Sequence, residues 1–218
     1  MILYHWIVNF LFPPKCVLCR KVLETRETDL CRCCREEAPE YSARKRKLQF
    51  LDSFAAVWYY EKYVRASLLR YKFSGCRSYA SCYGRLLAMR IRQEYPEGFD
   101  VLTWIPISRL RKFRRGYDQV ELLAHAVGRE LDMEPVHTLR KVRNNRQQSR
   151  IRDAAARRAN VLGVYRILDP EAVRDKRVLL LDDILTTGAT ASEAGRVLLT
   201  AGAKEVHCAA VAASRKMK

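Results

Sequence analysis

Apolar positions along this chain recur with two periods, and the places where the period changes mark its elements. Phe54-Ala-Ala-Val-Trp-Tyr-Tyr60 is rich in aromatic residues and reads as a strand. Two stretches with helical spacing follow, Val64 to Tyr71 and Tyr79 to Tyr95, the second closed by Pro96 and Gly98. Val101-Leu-Thr-Trp-Ile105 predicts a buried strand stopped by Pro106. From Tyr117 to Leu131, Val120, Leu123, Ala124, Val127 and Leu131 return at helical spacing. Arg177-Val-Leu-Leu-Leu-Asp182 is a continuous apolar run, as expected of a strand covered on both faces of a parallel sheet. Ala191 to Leu199 predicts a helix with Gly202 near its end, and Val206 to Ala213 a final strand. Strand and helix alternate from residue 50 onward, which predicts an α/β layered domain.

The first 47 residues follow a different pattern. Met1 to Phe12 is strongly apolar but too short to span a bilayer, which takes about 20 residues. It lacks the basic leader and small-residue cleavage site of a secretory signal, so a cytoplasmic protein is expected. As a helix it aligns Leu3, Trp6, Ile7 and Phe10 on one face, suited to docking on the rest of the protein, with membrane-surface attachment as the alternative. Five of the eight cysteines follow by residue 34. Cys16-x-x-Cys19 and Cys31-x-x-Cys34 are two CxxC pairs separated by eleven residues. Each CxxC turn places two sulfurs on one side of a metal, and two turns close a tetrahedral structural zinc site with no open position for catalysis. Disulfides fit poorly with a chain lacking an export signal. Cys33 competes with Cys31 or Cys34 for the last ligand position, while Cys76, Cys82 and Cys208 are dispersed and read as packed small side chains. The charged run Arg44-Lys-Arg-Lys47 then connects a module of residues 1–47 to a domain of residues 48–218.

The chemistry concentrates at Asp182-Asp183-Ile-Leu-Thr-Thr-Gly-Ala-Thr190. A buried strand delivers two adjacent carboxylates to its carboxyl end, where open α/β sheets bind ligands. Neighbouring strand residues point to opposite faces, so the two acids are expected to do different jobs, one toward ligand hydroxyls and the other toward the loop or a hydrated magnesium ion. Thr186, Thr187 and Thr190 supply hydroxyls, and Gly188 lets the backbone approach a ligand. Ala189 lies where the loop enters a helix whose first amides are unpaired and sit at its positive end. A phosphate cradle beside a diol binder matches a phosphorylated ribose. The segment is not a Walker loop, since no Gly-Lys-Ser/Thr follows, and it contains no GxGxxG.

This segment resembles the signature of type I phosphoribosyltransferases, which hold 5-phosphoribosyl 1-pyrophosphate. The resemblance implies that Asp182 and Asp183 meet the ribose 2′- and 3′-hydroxyls, that Thr186, Thr187, Gly188, Ala189 and Thr190 meet the 5′-phosphate, and that magnesium accompanies the ligand. It also implies a parallel sheet flanked by helices. Arg70-Tyr-Lys-Phe-Ser-Gly75 fits the family's short turn near the pyrophosphate, with Lys72 as the charge. Three further blocks resemble the ComF family of competence proteins: Phe12-Pro-Pro-Lys-Cys-Val-Leu-Cys19 with Cys31-x-x-Cys34, then Arg114-Arg-Gly-Tyr-Asp-Gln119, in which Asp118 stands where that family has Asn, and Gln148 to Tyr165. That resemblance implies a protein of DNA uptake, working with single-stranded DNA and other uptake proteins.

Net charge narrows the partner. Forty-one Lys and Arg against 24 Asp and Glu leave +17, an excess that points to a polyanion. Arg111, Lys112, Arg114 and Arg115 fall in a segment expected to be a mobile loop after the strand ending at Ile105. Arg146, Arg150 and Arg152 belong to a stripe from Arg140 to Arg158 with eight basic residues and one acid. Both are expected to meet a nucleic-acid backbone, for which guanidinium forks are suited. The alternative is a salvage phosphoribosyltransferase that moves phosphoribose onto a nucleobase, and a third reading is a sensor that binds the ligand without turnover. A salvage enzyme needs a hood that reads a base, whereas this chain spends its N-terminal residues on zinc ligands.

Overall fold

The computed structural model describes residues 13–42, 47–143 and 162–215. The expected N-terminal helix with Leu3, Trp6, Ile7 and Phe10, and the basic residues Arg146, Arg150 and Arg152, lie outside the described residues.

The main sheet has four strands: β1 (Ser53–Tyr59), β2 (Val101–Trp104), β5 (Arg177–Leu185) and β6 (Glu205–Ala213). They run in the order β1-β6-β5-β2, and every neighbouring pair is parallel. The apolar run at Arg177 lies at the centre of this arrangement, with Leu181 opposite Ala209 on one side and Trp104 on the other. Alternation along the strands assigns the two faces. Leu179, Leu181, Ala209 and Val211 join one core with α2 (Lys62–Phe73), α3 (Tyr79–Glu94) and α5 (Gln119–Leu131). Val178, Leu180, Cys208 and Ala210 join a second core with α6 (Ala189–Thr200) and a two-stranded antiparallel ribbon of β3 (Leu139–Lys141) and β4 (Tyr165–Ile167).

Three elements differ from the sequence reading. The expected mobile loop holds a short helix, α4 (Arg109–Arg115). The Ser108 hydroxyl accepts from the Arg111 amide at 3.4 Å, and Gly116 at φ 74° closes the helix in the left-handed region. Asp118 then caps α5 by accepting from the Val120 and Glu121 amides at 2.9 and 3.3 Å. It also accepts from the Ile107 amide at 2.9 Å, so each of these contacts needs an acceptor, and a carboxylate fills a position where the family has an amide. The segment from Arg70 is not a turn, because α2 continues through Phe73. The β3–β4 ribbon was not foreseen.

Among the described residues the cysteine module has no separate core. Val17, Leu18, Leu30 and Ala38 pack in the same cluster as Val64, Leu68, Tyr71 and Tyr83 of α2 and α3. The Ser67 hydroxyl and the Arg70 guanidinium donate to the Val17 carbonyl, and Arg70 also reaches the Leu18 carbonyl at 2.6 Å. Arg85 of α3 holds Asp29 in a two-pronged ion pair. No helix among the described residues is long and apolar enough to cross a membrane.

Candidate functional site

β2 ends opposite Leu181 because Pro106 follows closely behind, and the space beyond its end opens a cavity of about 270 Å³. Lys72, Asp182, Asp183, Thr186 and Thr190 line it, joined by Arg111, Arg115, Gln119, Lys141 and Tyr165. The two acids reach the cavity from opposite faces of β5. Asp183 shares its face with Leu181 and turns toward the helices: its carboxylate pairs with Lys72 Nζ at 2.9 Å and accepts from Gln119 Nε2 at 2.9 Å. Gln119 in turn accepts from Arg115 at 2.7 Å, so one amide links a guanidinium of α4 to the Asp183 carboxylate.

Asp182 faces the ribbon. One of its oxygens accepts from the Asp183 amide at 2.8 Å. Burial, then the neighbouring Asp183 charge, push its carboxyl up to about 8, against the pull of Lys72 and Lys141. Lys141 lies across the same space with its amine 3.4 Å from the Tyr165 hydroxyl and 5.3 Å from that ring's centroid. Burial and Arg111 draw Lys141 down to about 8, although Asp182 holds it up. Burial and Asp182 drive the Tyr165 hydroxyl far above its usual range. The ribbon side of the cavity is thus a largely buried, polar wall.

The shift at Asp182 has a sign that stability must show. The folded protein keeps this proton to about pH 8, whereas an unfolded chain releases it near pH 4. Between those values the folded state binds more protons, so this group's contribution to stability falls as pH rises. Asp182→Asn keeps the shape and cannot ionise. It is expected to melt several degrees above the unsubstituted protein at pH 8.5, a gap that narrows as pH falls and closes near pH 4; a gap independent of pH excludes this account.

The threonine turn is shaped by its glycine. Gly188 sits at φ 76°, a left-handed conformation that strains any residue with a Cβ, and a side chain there would also have to displace the tip of Leu48. Thr187 Oγ1 accepts from the Ala189 amide at 3.4 Å as the turn enters α6. Thr186 and Thr190 line the cavity on either side, while Gly188 and Ala189 are buried in the turn itself. Of the four basic residues expected to meet nucleic acid here, Arg111 and Arg115 line the cavity, whereas Lys112 and Arg114 are exposed. Lys112 is tied to Glu121 of α5 at 2.6 Å.

The second site is the cysteine cluster. The Sγ atoms of Cys16, Cys19, Cys31 and Cys34 all lie within 4.8 Å of one another, and Cys19 and Cys31 are 3.6 Å apart. Zinc–sulfur bonds of about 2.3 Å in a tetrahedron require sulfurs about 3.8 Å apart, so this set fits zinc. Cys31 caps a short helix, α1 (Arg32–Glu37), and Cys34 lies one turn along it on the buried side. Cys33 is exposed and its thiol faces Glu37, which raises it, so it takes no part in the cluster. At Cys16 burial is outweighed by the amides of Cys19, Cys31 and Leu18, which bring the thiol down to about 7.

Residues 122–218 match the phosphoribosyl transferase domain family, and residues 7–45 match the double zinc ribbon domain family. With the parallel sheet and the cysteine cluster, the protein is a phosphoribosyltransferase-like domain carrying a structural zinc module. Over 226 residues it is 24% identical to competence protein F of Haemophilus influenzae, covering 92% of this chain and 97% of that one. It is 26% identical to competence protein ComFC of Bacillus subtilis over 90% of this chain and 84% of the relative. With DNA utilization protein YhgH of Escherichia coli K12 it shares 30% identity over 62% of this chain and 61% of the relative. Over most of its length the chain is thus similar to the ComF competence proteins.

Proposed function

We propose that the protein binds phosphoribosyl pyrophosphate with magnesium in the cavity at the end of β2, and single-stranded DNA on the basic surface beside it, as part of DNA uptake. The observation that carries the first half is the meeting, in one cavity, of two buried carboxylates with the hydroxyl-bearing start of α6. Carboxylates accept from ribose hydroxyls, and the α6 amides with Thr186 and Thr190 donate to a phosphate. Lys72, Arg111 and Arg115 offer cations to the remaining phosphates, with Thr187, Gly188 and Ala189 shaping the turn. Magnesium offsets the repulsion between a pyrophosphate and the acids.

The second half is supported by the net charge of +17 and by the DNA-related name of the YhgH relative. Arg111, Lys112, Arg114 and Arg115 supply the described part of that surface, and Arg146, Arg150 and Arg152 are proposed to extend it. Calorimetry with phosphoribosyl pyrophosphate and magnesium tests the cavity, and absence of heat would remove it. Pyrophosphate release with a panel of nucleobases in the same samples separates holding the ligand from transferring it. For DNA, the plot of log affinity against log salt should fall with a slope of roughly −3 for about four phosphate contacts. A flat plot excludes backbone binding.

A further inference from the structure

α4 exposes more cation and more apolar surface than a connector requires. Five of its seven residues are Arg or Lys, none is acidic, and none is buried. Helical spacing sorts them. Arg111 and Arg115, four residues apart, line the cavity. The opposite side carries Arg109, Leu110, Phe113 and Arg114, with Phe113 87% exposed and Leu110 47% exposed. A second aromatic stands at the join between the two sides. Phe73, the last residue of α2, is 57% exposed, and the Arg115 guanidinium lies 4.8 Å from its ring centroid. The same Arg115 donates to Gln119, which holds Asp183.

Open aromatic rings set among guanidiniums suit one kind of ligand: flat bases strung on phosphates. We infer that single-stranded nucleic acid crosses the outward side of α4 with a base stacked on Phe113 and a neighbouring base at Phe73, and that it shares Arg115 with the ligand of the cavity. Two exposed apolar residues on a seven-residue helix are too few to anchor a membrane-surface helix, which needs a broad apolar face. The inference rests on the proposed function and adds two residues and a linkage to it. Because one guanidinium serves both ligands, and a filled cavity places negative charge beside the strand, each ligand weakens the other. Linkage makes that factor the same in both directions.

The test uses the whole chain and a fluorescein-labelled oligo-dT, read by anisotropy. Phe113→Ala is expected to weaken oligo-dT binding about tenfold, the loss of one stacked base, with the salt slope unchanged. Phe113→Trp restores affinity, which a loss of fold would not permit. Calorimetry with phosphoribosyl pyrophosphate and magnesium should give the same affinity for Phe113→Ala as for the unsubstituted protein. Saturating that ligand should weaken oligo-dT binding about fivefold or more. If the unsubstituted protein and Phe113→Ala bind oligo-dT equally, the stacking surface is wrong. If the two ligands bind with no mutual effect, Arg115 is not shared. Phosphatidylserine vesicles captured by the unsubstituted protein and lost in Phe113→Ala, with oligo-dT binding unchanged, would reassign the surface to membranes. Failure of the underlying reading looks different: the unsubstituted protein then binds neither oligo-dT nor phosphoribosyl pyrophosphate, and α4 loses its ligand with it.

Discussion

Cys31→Ala is expected to release the zinc and lower the melting temperature by about 10 °C. Metal analysis should read about one zinc per unsubstituted chain and none in the variant. In an isolated zinc finger the whole fold depends on the metal, with binding energies on the order of 10 kcal/mol. Here the module leans on a larger domain, which limits the loss. A destabilisation of about 3–5 kcal/mol corresponds to that shift for a chain of this size. The damage should not stay local. The turn from Cys16 to Cys19 presents the Val17 and Leu18 carbonyls to Ser67 and Arg70 of α2. Lys72, two residues beyond Arg70, holds Asp183 in the cavity. Amide hydrogen exchange should therefore quicken along α2 once the zinc is lost. A metal-free variant with unchanged melting and unchanged α2 protection would show that the module is merely attached.

The same route shows which parts of the molecule are legible in the sequence. The run at Arg177 and the helical stripe from Val120 to Leu131 could be read because burial stamps a period on consecutive residues. α4 buries nothing, so its residues carry no such stamp, and the segment read as a loop. β3 and β4 are three residues each, too short to show alternation. The acid pair and the threonine turn were visible because β5, turn and α6 are contiguous. Their partners were not. Gln119 lies 64 positions from Asp183, and nothing in either neighbourhood announces the other. Lys72 was marked as the charge of a turn near the pyrophosphate, but its place within α2 and its pairing with Asp183 are products of the fold. Lys141 and Tyr165 face each other only because the ribbon pairs Lys141 with Tyr165. Cys33 illustrates the same limit at short range. Spacing alone cannot choose among three neighbouring cysteines, whereas α1 turns Cys34 inward and Cys33 toward solvent.

Replacing both acids, Asp182→Asn with Asp183→Asn, is expected to weaken phosphoribosyl pyrophosphate binding by 100-fold or more, to the edge of detection by calorimetry. Measured above pH 8, where Asp182 is ionised as well as Asp183, each carboxylate that accepts from a ribose hydroxyl contributes a charged hydrogen bond of about 1.5–3 kcal/mol, and two together exceed a factor of about 100. A trivial explanation has to be separated from this one. Asp183 is the counter-charge of Lys72, whose side chain is 18% exposed, so Asp183→Asn leaves an ammonium nearly buried beside a neutral amide. Breaking such a pair from one side costs about 3–5 kcal/mol, enough to loosen the site without any direct role in binding. Asp182→Asn alone resolves the ambiguity, because it relieves a buried charge and should raise stability at alkaline pH. A variant that melts higher and still binds at least tenfold more weakly has lost a ligand contact, since no loosening accompanies it. A second control is Lys72→Met with Asp183→Asn, which removes both charges and spares the protein an orphaned ammonium. If Asp182→Asn binds as well as the unsubstituted protein and this neutral pair does too, the acids only brace the end of β5, and the phosphorylated ribose has to be sought elsewhere.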